Sequence, residues 1–336
     1  MKKFAVLFAL FAAVGLAQAD VGIFGTMDAG LTSTKAPGAA TATTGFTSGG
    51  MTTSNIGIKA SEDLGNGRKA VVELSSFLSD GTGATLGGST VNTFARSAFV
   101  GIADDKLGTV TLGRQSNPSF LPTILFNAYG DSSAYGPLWH ATYFGNTGNP
   151  STRVFNDTAW DNSVAYSAPS IGGVKVTAMT SKTGGGQNVG GNAMYFNGPI
   201  GLTAFYQRTE ANSTGSFQSN IYGANQPTTA KGVGGSFDAK VAKLFATYQT
   251  TDANVANIHS KTWHTSALVP MGTGNVMVAY ADTDAKGVSA GKYKEYSVGY
   301  DYPLSKKTDA YVTVGRANVP GLTQGQTLGT GLRVRF

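Results

Sequence analysis

The last residues of the chain, positions 328–336, read as one β-strand with two different faces and a terminal phenylalanine. Successive side chains of a strand point to opposite faces. One face is apolar apart from a threonine, and the other carries two glycines, Arg333 and Arg335. Arginine at the midplane of a membrane costs roughly 2–4 kcal/mol, so the basic face must meet water. The pattern favours the closing strand of a membrane β-barrel over an edge strand of a soluble sheet.

The beginning of the chain is typical of an exported protein. Met1, Lys2 and Lys3 form a short basic region, residues 4–16 are an apolar run, and residues 17–19 are an A-x-A cleavage site. We expect residues 1–19 to be a signal peptide and residues 20–336 to form the mature barrel. Beyond the signal, no apolar run approaches the length of a transmembrane helix.

Composition excludes several classes of function. The sequence has no cysteine, so it forms no disulfide and offers no thiolate as nucleophile or metal ligand. Its three histidines, His140, His259 and His264, are scattered, and we interpret them as surface residues. No catalytic residue, metal site or cofactor is therefore expected, which argues against an outer-membrane hydrolase. The formal net charge of +6 comes from few acids and not from a basic patch, which argues against nucleic-acid binding.

The rest of the chain divides into about sixteen strands joined by connections of alternating length. Tight turns rich in glycine, proline, asparagine and aspartate alternate with long loops, which is the layout of bacterial outer-membrane barrels. The predicted strands are residues 21–32, 52–61, 69–77, 94–102, 108–114, 163–168, 174–180, the two segments flanking Gly198-Pro199, 233–237, 243–249, 263–269, 276–281, 295–302, 309–315 and 328–336.

Charge follows the same alternation. If the apolar parity of each strand faces lipid, the opposite, lumen-facing parity carries Asp28, Lys59, Lys69, Glu73, Arg96, Lys175, Asp238, Lys243, Glu295, Asp301, Arg333 and Arg335. Outward charges fall only near strand ends on the long-loop side, namely Arg208, Lys231, Lys292, Lys294 and Arg316. Outward aromatic residues, among which we place Phe99, fit interfacial girdles. The sequence predicts an all-β fold, a 16-stranded antiparallel transmembrane β-barrel around a water-filled channel, with short periplasmic turns and long extracellular loops.

Several segments resemble a known family. They are residues 54–65 (SNIGIKASEDLG), 94–102 (FARSAFVGI), 107–115 (LGTVTLGRQ), 162–166 (NSVAY), 300–308 (YDYPLSKKT) and the terminal 333–336. Together they resemble Gram-negative general porins, and β-proteobacterial porins in particular. The resemblance implies a homotrimer and a third long loop, here about residues 115–162, that folds into the lumen as a constriction.

In that family, acidic residues of the third loop oppose basic residues of the barrel wall. The resemblance assigns the basic side of this pore constriction to Lys59, Arg96 and Arg114, and the acidic side to Asp131 and Asp157. Strict alternation would turn Arg114 outward, so its role requires a bend into the loop. The sequence departs from the family at Asn55 and Ala159, where arginines are usual, and Arg153 is a substitute for the second. We therefore expect a less basic constriction than in close relatives.

The predicted function is passive diffusion of ions and small hydrophilic solutes across the bacterial outer membrane. Basic residues outnumber acidic ones on the inward parity, which favours a weak anion preference. The outward basic residues near the long loops predict contact with lipopolysaccharide in the surrounding outer-membrane lipid. A substrate-specific outer-membrane channel or a surface adhesin is the alternative interpretation.

Overall fold

The computed structural model describes residues 19–84, 93–144, 158–183, 186–210, 227–253, 257–287 and 290–336. Within these ranges, seventeen antiparallel strands form a single sheet that closes on itself. Strand β1 (Asp20–Lys35) pairs with β17 (Gly325–Arg335) along one edge. Its other edge pairs with β3 (Asn55–Gly65) and, nearer the long-loop rim, with the short β2 (Thr43–Ser48).

The remaining strands follow one another around the wall, each paired with its neighbours in the chain. They are β4 (Arg68–Phe77), β5 (Ser97–Asp104), β6 (Gly108–Ser116), β7 (Ala159–Ser167), β8 (Val174–Thr183), β9 (Gly186–Asn197), β10 (Ile200–Thr209), β11 (Thr228–Asp238), β12 (Lys243–Ala253), β13 (Ile258–Met271), β14 (Gly274–Lys286), β15 (Gly291–Pro303) and β16 (Thr308–Asn318). Because β2 belongs to the first long loop, sixteen strands form the wall, and the predicted fold class is confirmed.

The outer surface of the barrel is apolar. Large hydrophobic side chains alternate along the strands and stand exposed, for example Ile58 at 46%, Val298 at 50% and Leu332 at 47%. Their chain neighbours face the interior, where Asp28 is 0% and Ser297 1% exposed. Closure pairs the backbone of every wall strand on both edges, which a hydrocarbon environment requires. The two faces therefore suit lipid outside and water inside.

The terminal strand closes the barrel through its last residue. Phe336 donates its N–H to the carbonyl of Gly25 at 3.1 Å and accepts the Gly25 N–H at 3.2 Å. A Cβ at Gly25 would lie 2.6 Å from the Phe336 ring and 2.6 Å from the Asn55 carbonyl oxygen. Only glycine fits beneath the terminal ring, so this position links the two ends of the sheet.

The third long loop folds into the barrel, as expected. It contains helix α1 (Phe120–Leu125) and helix α2 (Pro137–Trp139), which continues into a π-helical turn (His140–Phe144). Four of its aromatic side chains are buried, at 6% exposure or less: Tyr129, Tyr135, Trp139 and Tyr143. None of the helices in the described ranges has the length and apolar character needed to cross a membrane. The loop is therefore a packed plug on the inner wall.

Hydrogen bonds attach this loop to strands around the wall. Gln207 on β10 accepts the Ser119 N–H at 3.1 Å, Asn192 on β9 donates to the Pro118 carbonyl at 2.8 Å, and Ser266 on β13 accepts the Ala128 N–H at 3.0 Å. Because a buried backbone group is costly to leave unpaired, these contacts fix the path of the loop. The opening that remains in the lumen is set by that path.

One orientation predicted from the sequence is wrong. Phe99 faces the lumen, where it lines a recess with Glu73 and Arg96, whereas Val100 and Ile102 are 51% and 47% exposed on the outer face. The assignment failed because Arg96 precedes β5 and does not follow the alternation of that strand. Arg96 nevertheless lines the interior.

Candidate pore constriction

The narrowing of the lumen begins at Asp28, on the inner face of β1. Residues 49–54, here called the return segment, turn inward between β2 and β3. The Asp28 carboxylate accepts the N–H groups of Met51 at 2.7 Å and Thr52 at 2.6 Å. Tyr311 donates its hydroxyl to the other Asp28 oxygen at 2.7 Å. One buried carboxylate therefore holds the return segment inside the barrel.

The third loop rests on the return segment. Ser132 and Ser133 donate their hydroxyls to the carbonyls of Gly50 at 2.8 Å and Gly49 at 3.1 Å. The N–H of Ala134 reaches the Gly50 carbonyl at 3.2 Å. Two inward segments from different long loops thus meet in the lumen, although the sequence resemblance implied only one.

Asp131 lies on the third loop next to this junction. Burial raises the pKa of its carboxyl, while a hydrogen bond from the Thr52 hydroxyl and the positive charges of Arg96 and Arg333 act in the opposite direction. Thr52 also accepts a hydrogen bond from Arg333 Nη1 at 2.8 Å. The return segment therefore links the acidic group of the loop to a basic group of the wall.

Arg96 lies immediately before β5, on the part of the wall that β3 and β4 separate from β1. Its guanidinium Nη1 lies 3.8 Å from Glu73 Oε1 and 3.5 Å from the Ser75 hydroxyl, and a third of the side chain is exposed. Lys59 is on the same wall and pairs in register with Glu73, with its Nζ 5.9 Å from the centre of the Phe24 ring. The predicted basic residues Lys59 and Arg96 are therefore close neighbours with one carboxylate between them.

The two arginines of the terminal strand enter an ion-pair network on the inner wall. Arg333 contacts Asp309 at 2.9 Å and Asp301 at 3.2 Å, and Arg335 contacts Asp309 at 2.6 Å. Because two carboxylates balance two guanidinium groups, this side of the lumen adds little net charge. Lys69 lies on the inward parity of β4, near the periplasmic turn.

Arg114 is held within the wall. It is 7% exposed, donates Nε–H to the Ala95 carbonyl, and lies 2.7 Å from Asp161 through Nη1. The bend that its role requires is present nearby, because the register of β6 and β7 shifts between Gly113 and Gln115. Sequence reasoning did not find Asp161, because the two side chains come from strands on either side of the third loop.

Of the other predicted site residues, Asn55 is buried on the inner face of β3 and donates to the Thr53 carbonyl at 2.8 Å. Arg153 and Asp157 lie outside the described residues.

Two of the three histidines are not surface residues, so that expectation is wrong for them. His140 Nδ1 lies 2.5 Å from Glu295 Oε1 on β15, and its Nε2 lies 2.8 Å from the Ser133 carbonyl. His264 is 1% exposed on the inner side of β13. His259 is exposed and pairs with Asp252. Among the residues that the structure describes, no group of three or more histidine or carboxylate side chains is arranged for a metal ion.

The fold and this site together define a class of protein. A closed barrel, apolar outside, surrounds a passage that two inward loop segments narrow and that charged side chains line. Such a molecule is a membrane channel, in which pore width and wall charge govern what passes.

Comparisons with known proteins agree with this class. A family described as Gram-negative porin matches residues 5–321, so the chain belongs to the Gram-negative porin family. Outer membrane porin protein 32 of Delftia acidovorans is 27% identical over 329 residues, covering 93% of this chain and 88% of that protein. The protein is therefore an outer-membrane channel for passive diffusion.

Solved structures share the fold. The anion-selective porin from Comamonas acidovorans superimposes with a TM-score of 0.78 at 22% identity, covering 95% of this chain and 100% of that one. The trimer form of OmpT, an outer membrane protein of Vibrio cholerae, gives a TM-score of 0.68 at 15% identity, covering 95% and 99% of the two chains.

Proposed function

We propose that the channel prefers anions weakly and that Arg96 and Lys59 on the wall, opposed by Asp131 on the third loop, form its selective constriction. The observations that carry this proposal are the partly exposed guanidinium of Arg96 on the inner wall and the position of Asp131 beside the junction of the third loop with the return segment. The Arg333 and Arg335 charges are balanced by Asp301 and Asp309, and the Asp28 carboxylate is occupied by three hydrogen bonds. Arg96, a third of whose side chain is exposed, and Lys59 share one carboxylate, Glu73, so this cluster keeps a net positive charge toward the lumen. Diffusion through it needs no catalytic group.

The test is a reversal potential in a planar lipid bilayer under a KCl gradient. The wild-type protein should give a reversal potential with the sign of an anion-selective channel. Arg96→Glu should shift the reversal potential toward the sign of a cation-selective channel. Arg68→Glu is the matched control, because Arg68 pairs with Asp104 at the periplasmic turn and is 58% exposed, away from the constriction. If the two variants give the same potential, the assignment of Arg96 to the constriction fails.

The assembly and maturation of the chain are part of the same proposal. Residues 1–19 are removed on export, and residues 20–336 assemble as a homotrimer. Support comes from the A-x-A site at residues 17–19 and from the likeness of the fold to a protein solved as a trimer. The N-terminal residue of the purified protein and its mass in detergent by light scattering test both points. A mature chain that begins elsewhere, or a monomer, would refute the corresponding point.

The outer face near the long loops is proposed to bind lipopolysaccharide phosphates. Lys292 and Lys294 on β15 point outward there, and the Lys294 Nζ is 3.9 Å from Asp282 on β14. Replacing both lysines with glutamate should weaken retention of lipopolysaccharide during purification. Retention at the wild-type level would contradict this role.

A further inference from the structure

The inner wall beside the third loop has an unexpected apolar side. A recess of about 450 Å³ lies between helix α1 and the wall from β4 to β9, and Phe24 of β1 adds to its lining. Its apolar lining includes Phe24, Phe99, Phe120, Leu121 and Ile124, together with Met179 and Met194, which are almost fully buried. The lumen of a diffusion channel is ordinarily polar. Exposing large apolar side chains to that water is unfavourable by roughly 25 cal/mol per Å², so this patch calls for an explanation.

The recess also has basic residues in its lining. Arg96 and Lys175 line it, and the Lys59 ammonium stands at the edge of the Phe24 ring. Among the described residues that line the recess, Glu73 is the one carboxylate. Glu73 already accepts the Ser97 hydroxyl at 2.5 Å and lies 3.8 Å from Arg96. The balance of charge in the recess is therefore positive.

Packing explains part of the apolar lining. The Phe24 ring covers Gly57, where an added Cβ would lie 2.5 Å from it, and Phe205 elsewhere on the inner wall covers Gly232 in the same way. Such rings fill the space above a glycine in a sheet. Phe99 differs, because no glycine in the described ranges has the Phe99 ring among its three nearest neighbours. Phe99 pairs in register with Gly113, but its ring is not among the three atoms nearest to that glycine, as the Phe24 ring is for Gly57.

We propose that this recess binds amphipathic organic anions, that is, monocarboxylates with an aromatic or branched apolar body, on their way through the channel. The carboxylate is held by Arg96, and the apolar body packs against Phe99, Leu121 and Ile124, while Lys175 adds positive charge elsewhere along the lining. The cavity volume lies within the range of small-molecule sites. This inference rests on the proposed anion preference and adds to it a substrate class that simple charge selection does not distinguish.

The first experiment compares four probes as blockers of the KCl current through single channels in a planar bilayer. Phenylacetate has the charge and the apolar body, acetate has the charge alone, benzyl alcohol the ring alone, and benzylammonium the ring with the opposite charge. Phenylacetate should halve the current at a concentration about fivefold or more below each of the others, since an aromatic contact in a site changes affinity by about that factor. Equal potency of phenylacetate and acetate, or of phenylacetate and benzylammonium, would overturn the proposal.

The second experiment uses matched variants. Phe99→Ser should weaken the phenylacetate block about fivefold and leave the effect of acetate unchanged. Phe205→Ser, which removes an inward ring outside the recess, should leave both effects unchanged. If Phe99→Ser and Phe205→Ser behave alike, Phe99 does not contact the ligand and the proposal fails.

The reversal potential in KCl without organic acid separates this inference from the proposed function. An anion-side potential without a phenylacetate effect refutes the recess alone, whereas a cation-side potential refutes the anion preference on which the recess depends.

Discussion

Replacing Asp28 with alanine is the sharpest test of how the constriction is held. The carboxylate is 0% exposed and accepts three hydrogen bonds, from the Met51 and Thr52 N–H groups and from the Tyr311 hydroxyl. A hydrogen bond to a charged group contributes about 1.5–3 kcal/mol. Three such bonds give at least about 4.5 kcal/mol, which relief of the carboxylate's desolvation and entry of lumen water reduce to about 3 kcal/mol.

The assay is urea unfolding of the barrel refolded into phospholipid vesicles, followed by tryptophan fluorescence. Two buried tryptophans, Trp139 and Trp160, report on the loop and the adjoining wall. Asp28→Asn keeps an acceptor oxygen for the return segment, so it should lose only about 1 kcal/mol. Asp238→Ala removes an exposed inward carboxylate whose contact is the Lys240 N–H, and it should lose less than about 0.5 kcal/mol.

The same variant has a functional consequence. Releasing Met51 and Thr52 frees the Thr52 hydroxyl from its place between Arg333 and Asp131, so Asp28→Ala should also shift the reversal potential and increase current noise. If Asp28→Ala is as stable as Asp238→Ala and has the wild-type reversal potential, Asp28 does not hold the constriction.

Three further predictions concern separate parts of the molecule. Because the pKa of Asp131 is raised, its carboxyl gains a proton as pH falls while ordinary aspartates are still ionised. The anion preference should therefore increase on mild acidification. Asp131→Asn should show the anion preference of the acidified wild type at every pH. Gly25→Val should impair barrel folding, measured as the heat-modifiable band on a gel, because its Cβ has no space beside Phe336; normal folding would contradict this. His140→Ala removes the contact between the third loop and Glu295, so the loop should move more and the current should fluctuate more. Current fluctuations at the wild-type level would show that the loop is held without this contact.

The strands and their two faces could be predicted because the membrane imposes a simple rule. A charge facing lipid is costly, so the outward parity is apolar along the strands except near the long-loop rim, and glycine- and proline-rich turns mark the strand ends. Each predicted segment overlaps one strand of the wall, although 52–61 and 94–102 begin three residues before β3 and β5, and 163–168 and 328–336 end one residue after β7 and β17. The positions of the strands and the direction of their side chains follow from the alternation of apolar and polar residues, which can be read from a single sequence.

Contacts made by the loops could not be predicted in the same way. Asp28 meets residues 51 and 52 only because the first long loop turns back into the lumen, and His140 meets Glu295 across 155 positions of sequence. Neither path is encoded in a periodic pattern. The orientation of Phe99 was missed for a related reason, because Arg96 lies before β5 and gave a false reference for its parity.

Adjacent residues of one wall strand should face water and lipid in turn, and cysteine labelling tests this directly because the native chain has no cysteine. Lys59→Cys and Ile58→Cys place a thiol on the two faces of β3, and the wild-type Ile58 side chain is 46% exposed on the outer face. In lipid vesicles, a charged methanethiosulfonate reagent should modify Lys59→Cys rapidly and lower the conductance, and should leave Ile58→Cys unmodified. Equal reaction at both positions, or reaction at position 58 alone, would contradict a barrel with a water-filled interior.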